Sequence, residues 1–100
     1  MSRQCPYHYI IAIDLEATCD ENHIRPSQSR VKKGENEIIE IGLAVVCTTT
    51  LQILHQQQIY CNPETTEITP FCTHLTGISY ETLEKAGAGI YVYIYIIFSL

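Results

Sequence analysis

Asp14 and Glu16 stand one residue apart at the end of an apolar run, Tyr9-Ile10-Ile11-Ala12-Ile13-Asp14-Leu15-Glu16-Ala17-Thr18. If that run is a strand, side chains alternate between its faces, so the two carboxylates project the same way and can meet one cation together. A third acid, Glu40, lies among apolar positions in Glu37-Ile38-Ile39-Glu40-Ile41-Gly42. It either approaches Asp14 across a sheet or stands on a solvated face, and its spacing does not choose between them. Four of the six basic residues, Arg25, Arg30, Lys32 and Lys33, follow the acids closely. They form a flap that contacts a nucleic-acid backbone, or a solvated surface loop, which is what charge runs usually are.

The elements that must position these groups follow from the pattern around them. Ile10 to Ile13 is apolar at consecutive positions, which predicts a strand buried on both sides, in the middle of a sheet, with the carboxylates at its rim. Residues 20–34 are polar and punctuated by Pro26 and Gly34, hence a loop. Residues 37–47 are rich in β-branched side chains and predict a second strand. Thr48-Thr49-Thr50 is a turn, and residues 51–61 are a third strand. Three strands with short connections most simply form an antiparallel meander. Thr69-Pro70 then opens a helix with a capping side chain and a proline at its first position, with Phe71, Cys72 and Leu75 as its apolar side. Gly77 ends it. Ser79 caps a second helical start, with Glu81 near its positive end and Leu83 and Ala86 facing inward.

One hundred residues suit a single small domain. The net charge of −5 argues against a protein that coats nucleic acid through basic surface, although an acidic metal site can still hold phosphates through its cations. The five cysteines are odd in number and form no C-x-x-C pair, so free thiols in a reducing compartment are expected rather than a disulfide framework or a zinc site. The first residues lack the apolar core of a signal peptide, which makes the expected location intracellular.

Ile11-Ala12-Ile13-Asp14-Leu15-Glu16-Ala17-Thr18-Cys19, then Glu37-Ile38-Ile39-Glu40-Ile41-Gly42, then Thr69-Pro70-Phe71-Cys72-Thr73-His74-Leu75-Thr76-Gly77-Ile78 resemble, in order and spacing, the DEDDh three-prime-to-five-prime exonucleases. The nearest branch in appearance is that of the exoribonucleases that trim histone messenger, ribosomal and small interfering RNA, with the prion-interacting members. The resemblance covers Tyr9 to about Ala86. It implies a ribonuclease-H-like α/β fold whose first three strands are antiparallel, and hydrolysis at RNA 3′ ends by two divalent cations, Mg²⁺ or Mn²⁺. By the same resemblance Asp14 would bridge or share the cations and Glu16 would hold the one carrying the nucleophile. Backbone near Ala17 and Thr18 would meet the terminal nucleotide, and Leu75, Thr76 and Ile78 would form an apolar wedge and slot for a terminal base. For Leu75, Thr76 and Ile78 alike the alternative is ordinary helix-end core.

The family pattern then requires a further aspartate and a histidine five residues before another, and neither follows. Ile13, Gln28, Tyr60 and Ser79 stand five residues after the four histidines, and no acid follows Glu84. The chain therefore lacks a general base and the second half of the metal site. Residues 7–86 are expected to be the N-terminal part of an exonuclease domain whose C-terminal half is missing. Residues 87–100 are expected to be an aberrant hydrophobic tail: Ile90 to Leu100 has no charge or proline and strong β-propensity, marks of an aggregation-prone strand. The tail can be written as an AT-repeat coding stretch, which suggests translated intron or out-of-frame sequence; a real extra strand or a membrane-surface anchor is the alternative. Three expectations remain. One is an exoribonuclease part inactive by itself, another a catalytically dead module that binds RNA ends, and the third a non-functional fragment.

Overall fold

In a computed structural model, residues 6–21 and 26–88 are described. The expected tail beyond Ala88, together with His23 and Arg25, lies outside the described residues. Three strands come first: β1 (Tyr9–Ala17), β2 (Ile38–Cys47) and β3 (Ile53–Tyr60). Two short helices follow, α1 (Pro70–Thr76) and α2 (Tyr80–Ala86), and a single turn of 3₁₀ helix, Pro26–Gln28, sits in the loop after β1. The strands form one antiparallel sheet in the order β1-β2-β3, the expected meander.

Local chemistry accounts for the element ends. Thr69 accepts a hydrogen bond from the Cys72 amide, Pro70 occupies the first turn of α1, and Gly77 closes the helix at φ 80°, a conformation glycine adopts without steric cost. Ser79 and Thr82 form a reciprocal capping box on α2, and Gly87 ends it at φ 63°. The β2–β3 connection departs from expectation. Leu51 takes φ 61° in the turn, 78% exposed, with its amide bonded to the Cys47 carbonyl at 2.8 Å. The third strand therefore begins at Ile53 rather than Leu51. Nothing in Thr-Thr-Thr-Leu-Gln announces a left-handed residue, because neither glycine nor asparagine supplies it.

The core lies between one face of β2 and the helices. Ile39, Ile68, Cys72, Ile78 and Leu83 pack together, with Cys19, Tyr60 and Ala88 against them. Each large aliphatic side chain removed from water here contributes roughly 1.5–3 kcal/mol. Two expected inner residues are not in it: Leu75 and Ala86 are exposed. Both helices are only seven residues long, so each offers the core little more than one buried position, Cys72 and Leu83.

The largest correction concerns β1. It is an edge strand, paired only with β2 among the described residues. Ile10, Ile11, Ile13 and Leu15 are each 50–55% exposed. The apolar pattern predicts burial on both faces, but the described helices cover the sheet around Ile39 and do not reach across β1. The pattern thus records a strand suited to two-sided burial that the described residues do not cover.

Candidate metal edge and nucleic-acid interface

The first-strand carboxylates stand at the open end of β1, Asp14 exposed and Glu16 half-buried. Register places Gly42 of β2 opposite Asp14 and Glu40 opposite Glu16. Since directly opposed residues share a face, Glu40 joins the same acidic surface, beside Glu16 rather than Asp14. Gln58 of β3 donates to Glu40 Oε2 at 3.0 Å. Gly42 lies flat alongside Asp14: an ideal Cβ built on it comes 3.6 Å from the Asp14 carbonyl oxygen and 3.7 Å from its Cβ. With Ala12 and Ala44, it gives a shallow, open hollow of about 540 Å³ whose lining also includes Asp14, Gln56 and Gln58.

Oxygen donors in a pair fit a hard divalent cation, with water completing its coordination. They do not fit two. Among the described residues no three acidic, histidine or cysteine side chains gather closely enough to hold a metal ion.

The strand end is clamped from three directions. Thr18 is fully buried. Its amide donates to the Glu37 carbonyl at 2.8 Å, its carbonyl accepts from Asn36 Nδ2 at 2.6 Å, and its hydroxyl accepts from the Glu37 amide at 2.9 Å and shares a 2.8 Å hydrogen bond with Thr66. Thr69 Oγ1 donates to the Cys19 carbonyl at 2.6 Å, and Cys72 Sγ to the Ala17 carbonyl at 3.5 Å, which fixes the start of α1 against the end of β1. Glu37 completes the clamp. Its carboxylate accepts from the amides of Glu64, Thr65 and Thr66 and from both threonine hydroxyls. The Thr66 hydroxyl, then the Glu64 amide, hold its pKa down to about 2.

These contacts give most of the expected site residues distinct places. Ala17 is half-buried at the strand end, and Thr18 lies beneath it with its backbone groups engaged inside the chain. Leu75 is 65% exposed at the end of α1. Thr76 Oγ1 donates to the Cys72 carbonyl and accepts from the Ile78 amide, closing the turn. Ile78 is core, at 3% exposure. Of the wedge and slot residues, Leu75 is thus the one that offers apolar surface.

The basic loop is organised by Asp20, whose carboxylate accepts from the amides of Arg30 and Glu21, lowering its pKa. Val31 anchors the loop from inside. The Arg30 guanidinium pairs with Glu67 at 3.5 Å, while Lys32 and Lys33 are exposed. Sequence reasoning singled out Arg30 but missed Asp20, Glu37, Asn36 and Thr66. A polar residue flanking each strand end was the available signal, and it is a weak one.

Similarity to known proteins agrees with this geometry. The exonuclease family model matches residues 11–93. The chain is 38% identical over 73 residues to human ERI1 exoribonuclease 3, covering 72% of this chain and 19% of that protein. It is 38% identical over 81 residues to human 3'-5' exoribonuclease 1, covering 80% and 21%. The same identity over 81 residues links it to the Drosophila melanogaster 3'-5' exonuclease Snipper, covering 80% and 27%. The chain therefore spans about a fifth to a quarter of these relatives. The nuclease domain of 3'hExo, a DEDDh family member bound to rAMP, superimposes with a TM-score of 0.71 at 33% identity, over 93% of this chain and 42% of that one. Cell-death related nuclease 4, at 19% identity and a TM-score of 0.72 over 98% and 31%, shares the fold. The three strands and the helices after them are thus part of a ribonuclease-H-like domain similar to that of the DEDDh nucleases, and this chain belongs to the exonuclease family.

Proposed function

We propose that this chain is the N-terminal, cation-holding part of a three-prime-to-five-prime exoribonuclease domain, acting inside the cell, in cytoplasm or nucleus, on single-stranded RNA 3′ ends. The observation that carries the reading is the pair Asp14 and Glu16 on one face of a strand whose end is clamped by Thr18, Glu37, Thr69 and Cys72. Such a pair takes Mg²⁺ or Mn²⁺ with little side-chain freedom to lose.

A bound cation would supply charge neutralisation at the terminal phosphodiester and a more acidic water. In a complete family site Asp14 would be a ligand shared by the cations, and Glu16 would hold the cation that supplies the nucleophilic water. Ala17 and the Thr18 peptide border the terminal nucleotide. Leu75 presents apolar surface to its base, Thr76 fixes the turn that carries Leu75, and Ile78 supports it from the core. Turnover is not expected from this chain by itself, since no histidine stands five residues before an aspartate to take the proton from water.

Fluorescence anisotropy of a 5′-labelled single-stranded RNA tests the reading. Affinity should rise with Mn²⁺, fall in chelator and fall with Asp14→Ala, while gel analysis shows no shortening of the RNA. Affinity that is unchanged by chelator and by Asp14→Asn would replace this reading with that of a metal-independent RNA-end-binding module. Absence of any binding would leave neither.

A further inference from the structure

We propose that Cys19 and Cys72 are a reversible redox pair, closed by a low-molecular-weight disulfide such as oxidised glutathione into a bridge that staples the end of β1 to α1. The clamp brings the two residues together. Cys19 follows the strand end, and its carbonyl accepts at 2.6 Å from the hydroxyl of Thr69, the residue that caps α1, 50 residues further along the chain. Cys72 lies in the first turn of that helix, and its Sγ reaches back to the Ala17 carbonyl at 3.5 Å, two residues before Cys19. The Cys72 sulfur therefore sits against the backbone that carries Cys19, and Cys19 packs against the core cluster that contains Cys72. Both are free thiols, and they hydrogen-bond to each other. Since Cys72 gives its hydrogen to the Ala17 carbonyl, its sulfur accepts from Cys19. These contacts join described residues to one another and need no open surface.

Cys72 is fully buried, so the oxidant meets Cys19 first. The Cys19 thiolate attacks one sulfur of the oxidant disulfide and expels a thiolate; the Cys72 thiolate then attacks Cys19 Sγ in the mixed disulfide and expels the second. Two protein thiols are oxidised, the oxidant is reduced to two thiols, and the two cysteine protons end on those leaving groups. The second step is internal, so no reagent has to reach Cys72. It carries the sulfurs from hydrogen-bond contact to a bond of about 2.0 Å. In a reducing compartment such a pair is redox-sensing rather than permanent. Closure also takes the Cys72 hydrogen from the Ala17 carbonyl, next to Glu16, so the reduced and oxidised chains differ at the end of the acid-bearing strand. Because the bridge joins residues far apart in sequence, it restricts the unfolded chain more than the folded one.

The test equilibrates the full chain with oxidised and reduced glutathione in graded ratios near pH 8, then quenches in acid, alkylates and maps the peptides by mass spectrometry without reduction. A peptide joining Cys19 to Cys72 should be the main internal disulfide and should return to two thiols with dithiothreitol. It should be absent from Cys19→Ser and persist in Cys47→Ser and Cys61→Ser. The same oxidation in guanidinium should remove its dominance, since the folded chain is what brings the two thiols together. The oxidised chain should unfold at a urea concentration about 1 M higher than the reduced chain. Free thiols at both positions in oxidised glutathione alone, glutathione held on Cys19 with no link to Cys72, or a main disulfide joining other cysteines of the folded chain would each overturn the proposal. So would equal dominance of the link in guanidinium, or a urea midpoint of the oxidised chain at or below that of the reduced one.

Discussion

Glu37→Gln removes a charge from the centre of the clamp while keeping the side chain's size. In the folded chain the carboxylate accepts five hydrogen bonds, from three amides and two hydroxyls, and its pKa falls from 4.5 to about 2. At about 1.4 kcal/mol per tenfold in acidity, that difference corresponds to roughly 3 kcal/mol. The group is only partly buried, and solvent screening reduces the value to about 1–2 kcal/mol. The sign follows from linkage: the folded pKa lies below the unfolded one, so the stabilisation is complete above about 4.5 and is lost as pH falls toward about 2. Urea denaturation of wild type and Glu37→Gln at pH 7 should therefore differ by about 1–2 kcal/mol, and the difference should close between pH 4.5 and pH 2. Equal stability at pH 7, or a difference that persists unchanged at pH 2, would refute the assignment of the clamp to the ionised carboxylate.

Two further outcomes are expected from the same geometry. Leu51→Gly should stabilise the chain by roughly 0.5–1 kcal/mol, because glycine adopts φ 61° without the steric penalty and this leucine packs against little; a loss of stability in thermal denaturation would contradict it. Iodoacetamide near pH 8 should alkylate Cys47 before Cys19 and Cys61. The Thr50 hydroxyl and neighbouring amides lower the pKa of Cys47, whereas burial, then the Cys72 thiol, raise that of Cys19 to about 11, and burial raises Cys61. Peptide mapping that finds Cys19 labelled as fast as Cys47 in the native chain would contradict it.

The sequence made the meander and both helix starts legible because their signals are local. β-Branched runs, Thr69-Pro70, Ser79 and Gly77 act through their own backbone neighbours. The placement of β1 was not legible: an apolar run reports what a strand is suited to be covered by, and coverage depends on elements distant in the chain. The same distinction runs through the site. Asp14 and Glu16 were paired by strand alternation alone, but the partner of Glu40 depended on register, which puts it opposite Glu16. Sequence leaves both Ile78 and Leu75 open between substrate contact and helix-end core, and packing separates the two, Ile78 in the core and Leu75 exposed. The clamp residues Asn36, Glu37 and Thr66 act across 18 to 48 residues of sequence, where no local pattern marks them.

Whether Asp14 and Glu16 hold a divalent cation is read by Mn²⁺ titration monitored by electron paramagnetic resonance. The wild-type chain should show a single weak site, weakened at least about tenfold by Asp14→Ala and by Glu16→Gln, and unaltered by Glu35→Gln in the exposed loop. Equal Mn²⁺ affinity in wild type and Asp14→Ala would contradict it.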